Sequence, residues 1–517
     1  MATSTAVVFM EFIFVRNIYR NYIEFQWESK LQVKSMQAVG KVNVTCLFIS
    51  AFVKKVSSRQ VDCETALTNL WVVLVKHLCL FLVLTAAVAD LTQSYQCVVR
   101  LPCTCSGTAI DCSSKRITSL SVLIGHPNST YRMRLDGNPG LVITDDTFAN
   151  ITLEYLDLNH NTGLSMSDHA LRSQRDSLKE LHLSNCRLRE VPQALRDLNA
   201  LEKLYMWSNH IDNWDETLML KLSGTLNVLD VSYTGLTSWP RWLSHMSNLV
   251  YLNLYENHID VIPHDAFYSA ASAMNYLNIE SCGISDMTTA IRSLQNLTTL
   301  VVGGKTLSDS SFFYNWLPTR GSKLVTLSIN NSNITKIPYG INDSPSLKIL
   351  TITGSRLRHV EEEAMPKSLM ALSIVQASLT HIHGGVCNPA LKFLRLAANR
   401  IQSIEKHDLQ DCRALTYLNL NHNHIDYISP TAFDGLKELK TLRLENNGMI
   451  HIPTAINNMT SLRSLYLDGN PVECTCQTLW FLSWRQRNSG VFISGRCTLL
   501  GIDLADFHSH CAAIIVG

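Results

Sequence analysis

Along most of this chain the apolar residues recur in a short fixed burst rather than in long helical or strand-like runs. The segment "LTYLNLNHNHI" (Leu415 to Ile425) follows the pattern L-x-x-L-x-L-x-x-N-x-L, and so do "LKFLRLAANRI" from Leu391, "LKTLRLENNGM" from Leu439, "LVYLNLYENHI" from Leu249, "LEKLYMWSNHI" from Leu201 and "LKELHLSNCRL" from Leu178. Counting degenerate copies, repeats open at 153, 178, 201, 226, 249, 274, 297, 324, 347, 369, 391, 415, 439 and 462, with a cruder copy at Tyr131. Steps between them run from 22 to 27 residues, which is the self-similarity expected of a stacked-coil architecture. Within each burst the L-x-L core predicts a short strand whose leucines point inward while the residues beside them face solvent. A single coil cannot cover its apolar face, so neighbours stack, bury a continuous core and line up their strands as one parallel sheet. Looser segments such as "IPHDAF" from Ile262, "ISPTAF" from Ile428 and "IPTAI" from Ile452 complete the other side of each coil.

The ninth position, Asn or Cys in the regular copies, is expected to hydrogen-bond the turning backbone and the next coil, forming a ladder. This disposes of a tempting motif. His422 and His424 stand close to Asp426 and could be read as a metal or nuclease-like cluster, but they flank the ladder asparagine of one repeat, and His210 and His258 recur in the slot after it. "HIHGG" (His381 to Gly385) falls in a connection on the opposite side. From repeat 297 to repeat 369 the ladder slot holds Lys305, Ser332, Ser355 and Ala377, and Gly303 and Gly304 lie side by side. These losses predict a break in curvature or a protruding loop around Ser308 to Ser322, with a degenerate repeat of no particular role as the equal alternative.

Charge is balanced, with 44 Lys+Arg against 43 Asp+Glu, so no global field points to nucleic acid. The 15 cysteines are numerous and uneven. Cys97, Cys103, Cys105 and Cys112 precede the repeats, and Cys474, Cys476, Cys497 and Cys511 follow them. Clusters at both ends of a region read as disulfide knots formed in an oxidising compartment, with three pairings open for each. Zinc is the competing reading, but a CxC step wraps one ion poorly and no partner pair sits at finger-like distance. Cys186 and Cys282 occupy the ladder slot and read as inert buried thiols. Cys387 and Cys412 lie shortly before successive repeat openings, near enough to bridge adjacent coils.

"CVVRLPCTCSGTAIDCS" (Cys97 to Ser113), the repeats, and "NPVECTCQTLWFLSWRQRN" with Cys497 and Cys511 together resemble extracellular leucine-rich repeat proteins with a cysteine-rich cap at each end, of the type found in Slit, Toll and Nogo-receptor ectodomains. The resemblance implies an α/β solenoid: a leucine-rich repeat horseshoe with a parallel concave sheet, an irregular or short-helical convex side and disulfide caps. It also implies the pairs Cys97–Cys105, Cys103–Cys112, Cys474–Cys497 and Cys476–Cys511. Domain boundaries follow at 96–130 for the first cap, 131–470 for about 15 repeats, 471–511 for the second cap and 512–517 for a tail. Upstream, "HLCLFLVLTAAVAD" (His77 to Asp90) has an apolar run and small residues before Asp90, so 70–89 reads as a signal peptide or as an uncleaved signal anchor, with 1–69 an extension of unclear status. Lys54, Lys55 and Arg59 place the residues after 90 outside in either case.

Function falls to the solvent-facing strand positions, because the fold does not fix it. From repeat 153 to repeat 274 these carry Tyr155, Tyr205, Trp207, Tyr233, Tyr251, Tyr255 and Tyr276, interleaved with carboxylates and amides. Tyr and Trp present large rigid contact area with a polar tip, so these seven are the candidate ligand-binding residues. Sequons at Asn128, Asn150, Asn296, Asn330, Asn333, Asn342 and Asn458 fit a secreted glycoprotein, and a glycan on Asn330 would close the central concavity. No P-loop, G-x-S-x-G, H-E-x-x-H or dinucleotide fingerprint occurs, so the expectation is a non-enzymatic binder with no cofactor and no metal. Its expected partner is a protein, in adhesion, guidance or receptor-type recognition. The alternative is an innate-immune binder of a microbial glycan or lipid. Nucleic acid is not expected, and a membrane enters only through the anchor.

Overall fold

In the computed structural model, residues 102–507 are described, apart from 121–124, 126–128, 288, 313–315, 318–321, 362–363, 383 and 476–477. Residues 1–101 and 508–517, and with them the leader segment, Cys97, Cys511 and the tail, lie outside the described residues, as do Cys476 and Asn128.

The parallel solenoid is present. Strands Glu180–His182, Lys203–Tyr205, Val228–Asp230, Tyr251–Asn253 and Tyr276–Asn278 pair in sequence order, each with its successor, without a slip. The middle leucine of each strand meets its equivalent: Leu181, Leu204, Leu229, Leu252 and Leu277 are in register and fully buried. At the N-terminal end Thr104–Ser106 turns back antiparallel on Ala109–Asp111, which then pairs in parallel with Thr130–Arg134. At the other end Ser464–Tyr466 pairs with Phe492–Ser494. The convex side includes 3-10 turns such as Gln193–Asp197, Arg241–His245 and Thr454–Asn458 and the helix Glu216–Leu222, capped by the Asp215 side chain accepting from the Leu218 N–H.

The ladder is visible atom by atom. Asn257 donates from Nδ2 to the carbonyls of Leu254 and, one coil earlier, Val231, while its Oδ1 accepts from the N–H groups of Thr234 and Leu236. Asn209, Asn399 and Asn423 repeat the arrangement, and in Cys186 and Cys282 the thiol points at a carbonyl of the preceding coil. The residue just before the ladder position is left-handed in coil after coil: His160, Asn185, Ser208, Tyr233, Glu256, Ser281, His422 and Asn446 have φ between +53° and +59°. The sharp turn needs that conformation, and the buried Asn, Cys or Thr at the ladder position holds it.

Where the ladder slot holds none of Asn, Cys or Thr, the strands lengthen. Thr299–Gly303, Thr326–Asn330, Ile349–Thr353 and Ala371–Val375 are five residues long, against three in the five coils just before them. Their second inward residue is β-branched (Val302, Ile329, Ile352, Ile374), which favours extended backbone, so the pairing continues where an asparagine would have turned the chain. The strand pairing therefore runs unbroken through repeat 297. The glycine pair has a local reason: a Cβ on Gly303 would lie 2.1 Å from the carbonyl oxygen of Asn330, and Gly304 has φ +118°. Phe312, Trp316 and Leu317 are buried, and the Trp316 indole donates to the carbonyl of Tyr339.

Three disulfides lie among the described residues: Cys103–Cys112, Cys387–Cys412 and Cys474–Cys497. Cys105 is also disulfide-bonded. Cys186 and Cys282 are free and buried, and burial pushes both thiols up, Cys186 to about 11 and Cys282 to about 12. None of the described helices is long and apolar enough to cross a membrane.

Candidate ligand-binding face

Each strand presents to the concave side the residue before its middle leucine, the residue after it, and the residue two further on. The register stacks these into columns that run across the coils. One column contains Tyr155, Glu180, Lys203, Val228, Tyr251 and Tyr276; the next contains Asp157, His182, Tyr205, Asp230, Asn253 and Asn278.

The candidate aromatics gather into separate groups. Tyr155, His182 and Tyr205 form a short stack: His182 lies 5.2 Å from Tyr155 and 4.3 Å, nearly parallel, from Tyr205. Tyr251 and Tyr276 stack with centroids 4.3 Å apart and planes 8° from parallel. Tyr233 meets Tyr255 edge to face at 5.1 Å, and Trp207 meets the edge of His160 at 5.9 Å. All are half-buried except Tyr233, which is 49% exposed and held at φ +53°, a conformation a bulky side chain rarely adopts. His182 belongs to this surface although its residue type alone did not select it; its place between two tyrosine-bearing strands was the signal.

Carboxylates thread between the rings. Glu180 is tied to His182 Nε2 at 2.9 Å and Lys203 Nζ at 3.2 Å. Asp157 accepts from the Tyr155 hydroxyl at 3.3 Å, and the Arg132 guanidinium lies 4.2 Å above the Tyr155 ring. Burial, reinforced by Asp157, pushes the Tyr155 phenol up to about 12. Asp230 accepts from the N–H and hydroxyl of Ser232 and from Asn253 Nδ2. Glu280 reaches across two coils, accepting from Asn330 Nδ2 at 2.9 Å and Asn331 Nδ2 at 3.2 Å.

That contact bears on the sequons. Asn330 is on the concave strand and half-buried, its amide nitrogen engaged by Glu280. Asn296 and Asn333 are half-buried and donate to the carbonyls of Ser272 and Lys305, whereas Asn150, Asn342 and Asn458 are exposed.

A second aromatic set was overlooked in the sequence. Phe393 and Tyr417 continue the first column 6.4 Å apart, and Tyr466 lies 5.5 Å from Phe492, with the Arg443 guanidinium 4.9 Å from its ring. Arg443 is bonded to Glu445. The same column positions would have revealed them.

The histidine pair of repeat 415 sits where the repeat puts it. His422 is the left-handed turn residue, its Nε2 3.3 Å from Asn446 Nδ2, and His424 is exposed.

Residues 152–211, 367–425 and 418–472 match the family described as Leucine rich repeat. The chain carries leucine-rich repeats over these residues. Among relatives, this leucine-rich repeat chain is 25% identical over 186 residues to the CD180 antigen of Mus musculus, covering 33% of this chain and 28% of the relative. It is 27% identical over 203 residues to Toll-like receptor 6 of Homo sapiens, covering 36% and 25%. The matched part thus spans about a quarter of each relative's length. A leucine-rich repeat protein of Leptospira interrogans shares the fold with a TM-score of 0.52 at 19% identity, covering 74% of this chain and 94% of that one.

Proposed function

We propose that this chain is an extracellular, non-enzymatic recognition protein that holds a protein ligand on the concave face of its N-terminal half. The observation that carries this reading is the run of half-exposed rings from Tyr155 to Tyr276, whose hydroxyls and neighbouring carboxylates give polar tips on a rigid parallel sheet. Rigid amphipathic rings lose little conformational entropy on binding and dominate protein hot spots. Bonded cysteines and exposed sequon asparagines support an oxidising, secretory environment. Residues 96–130 and 471–511 would then act as caps that shield the ends of the 131–470 core. Similarity to proteins named as an antigen and a receptor is in keeping with a recognition role.

A glycan ligand would stack on ring faces, and in the His182–Tyr205 and Tyr251–Tyr276 pairs one face of each ring is already taken by its neighbour. This favours protein over sugar. The test is a variant with Tyr205, Trp207 and Tyr255 replaced by alanine, secreted from cells and probed on an array of extracellular proteins. Loss of capture with an unchanged circular dichroism spectrum is expected. Unchanged capture would refute the reading and favour a spacer without a specific ligand.

A further inference from the structure

A groove of about 490 Å³ lies at the rim of the concave face, where the strands turn towards the convex side in the coils that open at 178, 201 and 226. Asn185, Ser208 and Tyr233 line it from the left-handed turn position of three successive coils. The backbone stacks these turns, the N–H of Asn185 donating to the carbonyl of Trp207 and that of Ser208 to Ser232. Arg187 and His210 enter from two residues further on, and Arg189 from two beyond Arg187. No carboxylate lines the groove. Asp212, which does not line it, takes one Arg189 nitrogen at 3.1 Å and lies 3.3 Å from His210 Nε2. The Arg187 guanidinium is exposed and has no partner among the described residues, and neither has the Ser208 hydroxyl. The carboxylates of the neighbouring face are in the opposite condition. Glu180, Asp230 and Glu280 are already tied to His182 and Lys203, to Ser232 and Asn253, and to Asn330 and Asn331.

Two of the lining residues are held at a conformational cost. Tyr233 has φ +53°, and Arg187 has φ +59° at a position where the coils opening at 226 and 274 use Gly235 and Gly283, at +79° and +87°. Left-handed backbone is unfavourable for large side chains, and glycine or asparagine would hold either turn more easily. Burial does not explain the choice, because Arg187 is exposed and the Tyr233 ring is half exposed, edge to face with Tyr255. Strain of this kind gathers at ligand clamps. The cations do not extend into a track for a long polyanion, since the column of Arg187 and His210 continues as Gly235, His258 and Gly283. The groove is a short, donor-rich site with a tyrosine at one end.

We propose that this groove takes a carboxylate of the protein ligand, an aspartate or glutamate side chain paired with Arg187 and hydrogen-bonded by Arg189 and Ser208, while Tyr233 packs against the segment that carries it. This rests on the concave-face reading and adds the chemistry of the partner at its rim. The planar fork of a guanidinium matches a carboxylate, and a charge-assisted pair in a groove is stronger than a neutral one and sensitive to salt.

The test uses the full chain and a fluorescent tetra-glutamate peptide, with tetra-arginine and a fluorescent heparin fragment as counterparts, measured by anisotropy at low and high salt. The variants are Arg187→Gln, Tyr233→Asn and, as control, Arg400→Gln, an exposed arginine at the position equivalent to Arg187 in the coil opening at 391. Folding is checked by circular dichroism. Tetra-glutamate is expected to bind the wild type, to weaken about fivefold in each of the first two variants, and to be unaffected by the control, with the Arg187→Gln difference shrinking as salt rises. No binding, equal affinity for wild type and Arg187→Gln, an equal loss in the control, or tetra-arginine binding as tightly would overturn the proposal. Dependence of the heparin fragment alone on Arg187 would overturn it in favour of a sulfated sugar. If the Tyr205, Trp207 and Tyr255 variant loses capture of arrayed proteins while Arg187→Gln keeps both capture and tetra-glutamate affinity, the concave-face reading stands and the acidic-ligand proposal falls.

Discussion

Tyr251 and Tyr276 occupy the same position in adjacent coils, and their rings stack 4.3 Å apart and 8° from parallel. The leucines that follow them, Leu252 and Leu277, point the other way into the core, so the repeat that builds the core also sets the rings face to face. Such a pair contributes about 1 kcal/mol beyond its burial. A double-mutant cycle of Tyr251→Ala and Tyr276→Ala, read by urea denaturation, is expected to give a coupling of that order. A coupling near zero would mean the rings are merely adjacent.

The ladder predicts a sharp contrast between coils. Asn257→Ala removes two donated and two accepted bonds to buried backbone groups and is expected to cost about 3 kcal/mol or more. Ser355→Ala, at the same position in a coil of the middle region, removes a buried hydroxyl that has no hydrogen-bond partner and is expected to change stability by less than about 0.5 kcal/mol. Denaturant midpoints of the two variants check this directly.

The Cys387–Cys412 disulfide joins adjacent coils across a sequence separation of 25. Replacing both by alanine removes a constraint on the unfolded chain worth about 3 kcal/mol. The variant is expected to keep its secondary structure but to unfold at lower denaturant than the wild type when both are kept oxidised.

Tyr155 gives a pH dependence of defined sign. Its folded phenol titrates at about 12, above the ordinary tyrosine value, because burial and Asp157 oppose ionisation. The unfolded chain therefore loses this proton first. The contribution of Tyr155 is fully present below about pH 10 and fades as pH rises towards 12. Compared with Tyr155→Phe, the wild type is expected to lose more stability between about pH 9 and about pH 11.5. Parallel losses in both proteins would show that Tyr155 does not contribute.

The leucine spacing and the ladder slot sufficed to read the solenoid, the parallel sheet and the inward core, because one short pattern repeats coil after coil. The same columns pointed to the tyrosines. Side-chain reach was not legible. Nothing in the spacing of Glu280 and Asn330 says that they meet, since a carboxylate crossing two coils depends on which rotamer the intervening Gly303 leaves room for. The middle region was hard to read for a related reason. Missing asparagines were read as weakness, but β-branched residues at Val302, Ile329 and Ile352 converted the lost turn bonds into longer strands. Trp316 and Phe312 looked like loop residues, yet they fill the core, because a long connection can carry its own apolar anchors.

The central claim, a protein ligand on the N-terminal concave face, is tested most directly by placing a glycan there. Tyr255→Thr creates a sequon at Asn253, on the concave strand, and Glu405→Asn with His407→Thr creates one on an exposed connection away from that strand. Both glycosylated chains would be secreted and tested against the arrayed extracellular proteins that capture the wild type. The account predicts that the glycan at Asn253 abolishes capture and that the glycan at position 405 leaves it intact. Capture that survives the glycan at Asn253 would contradict it.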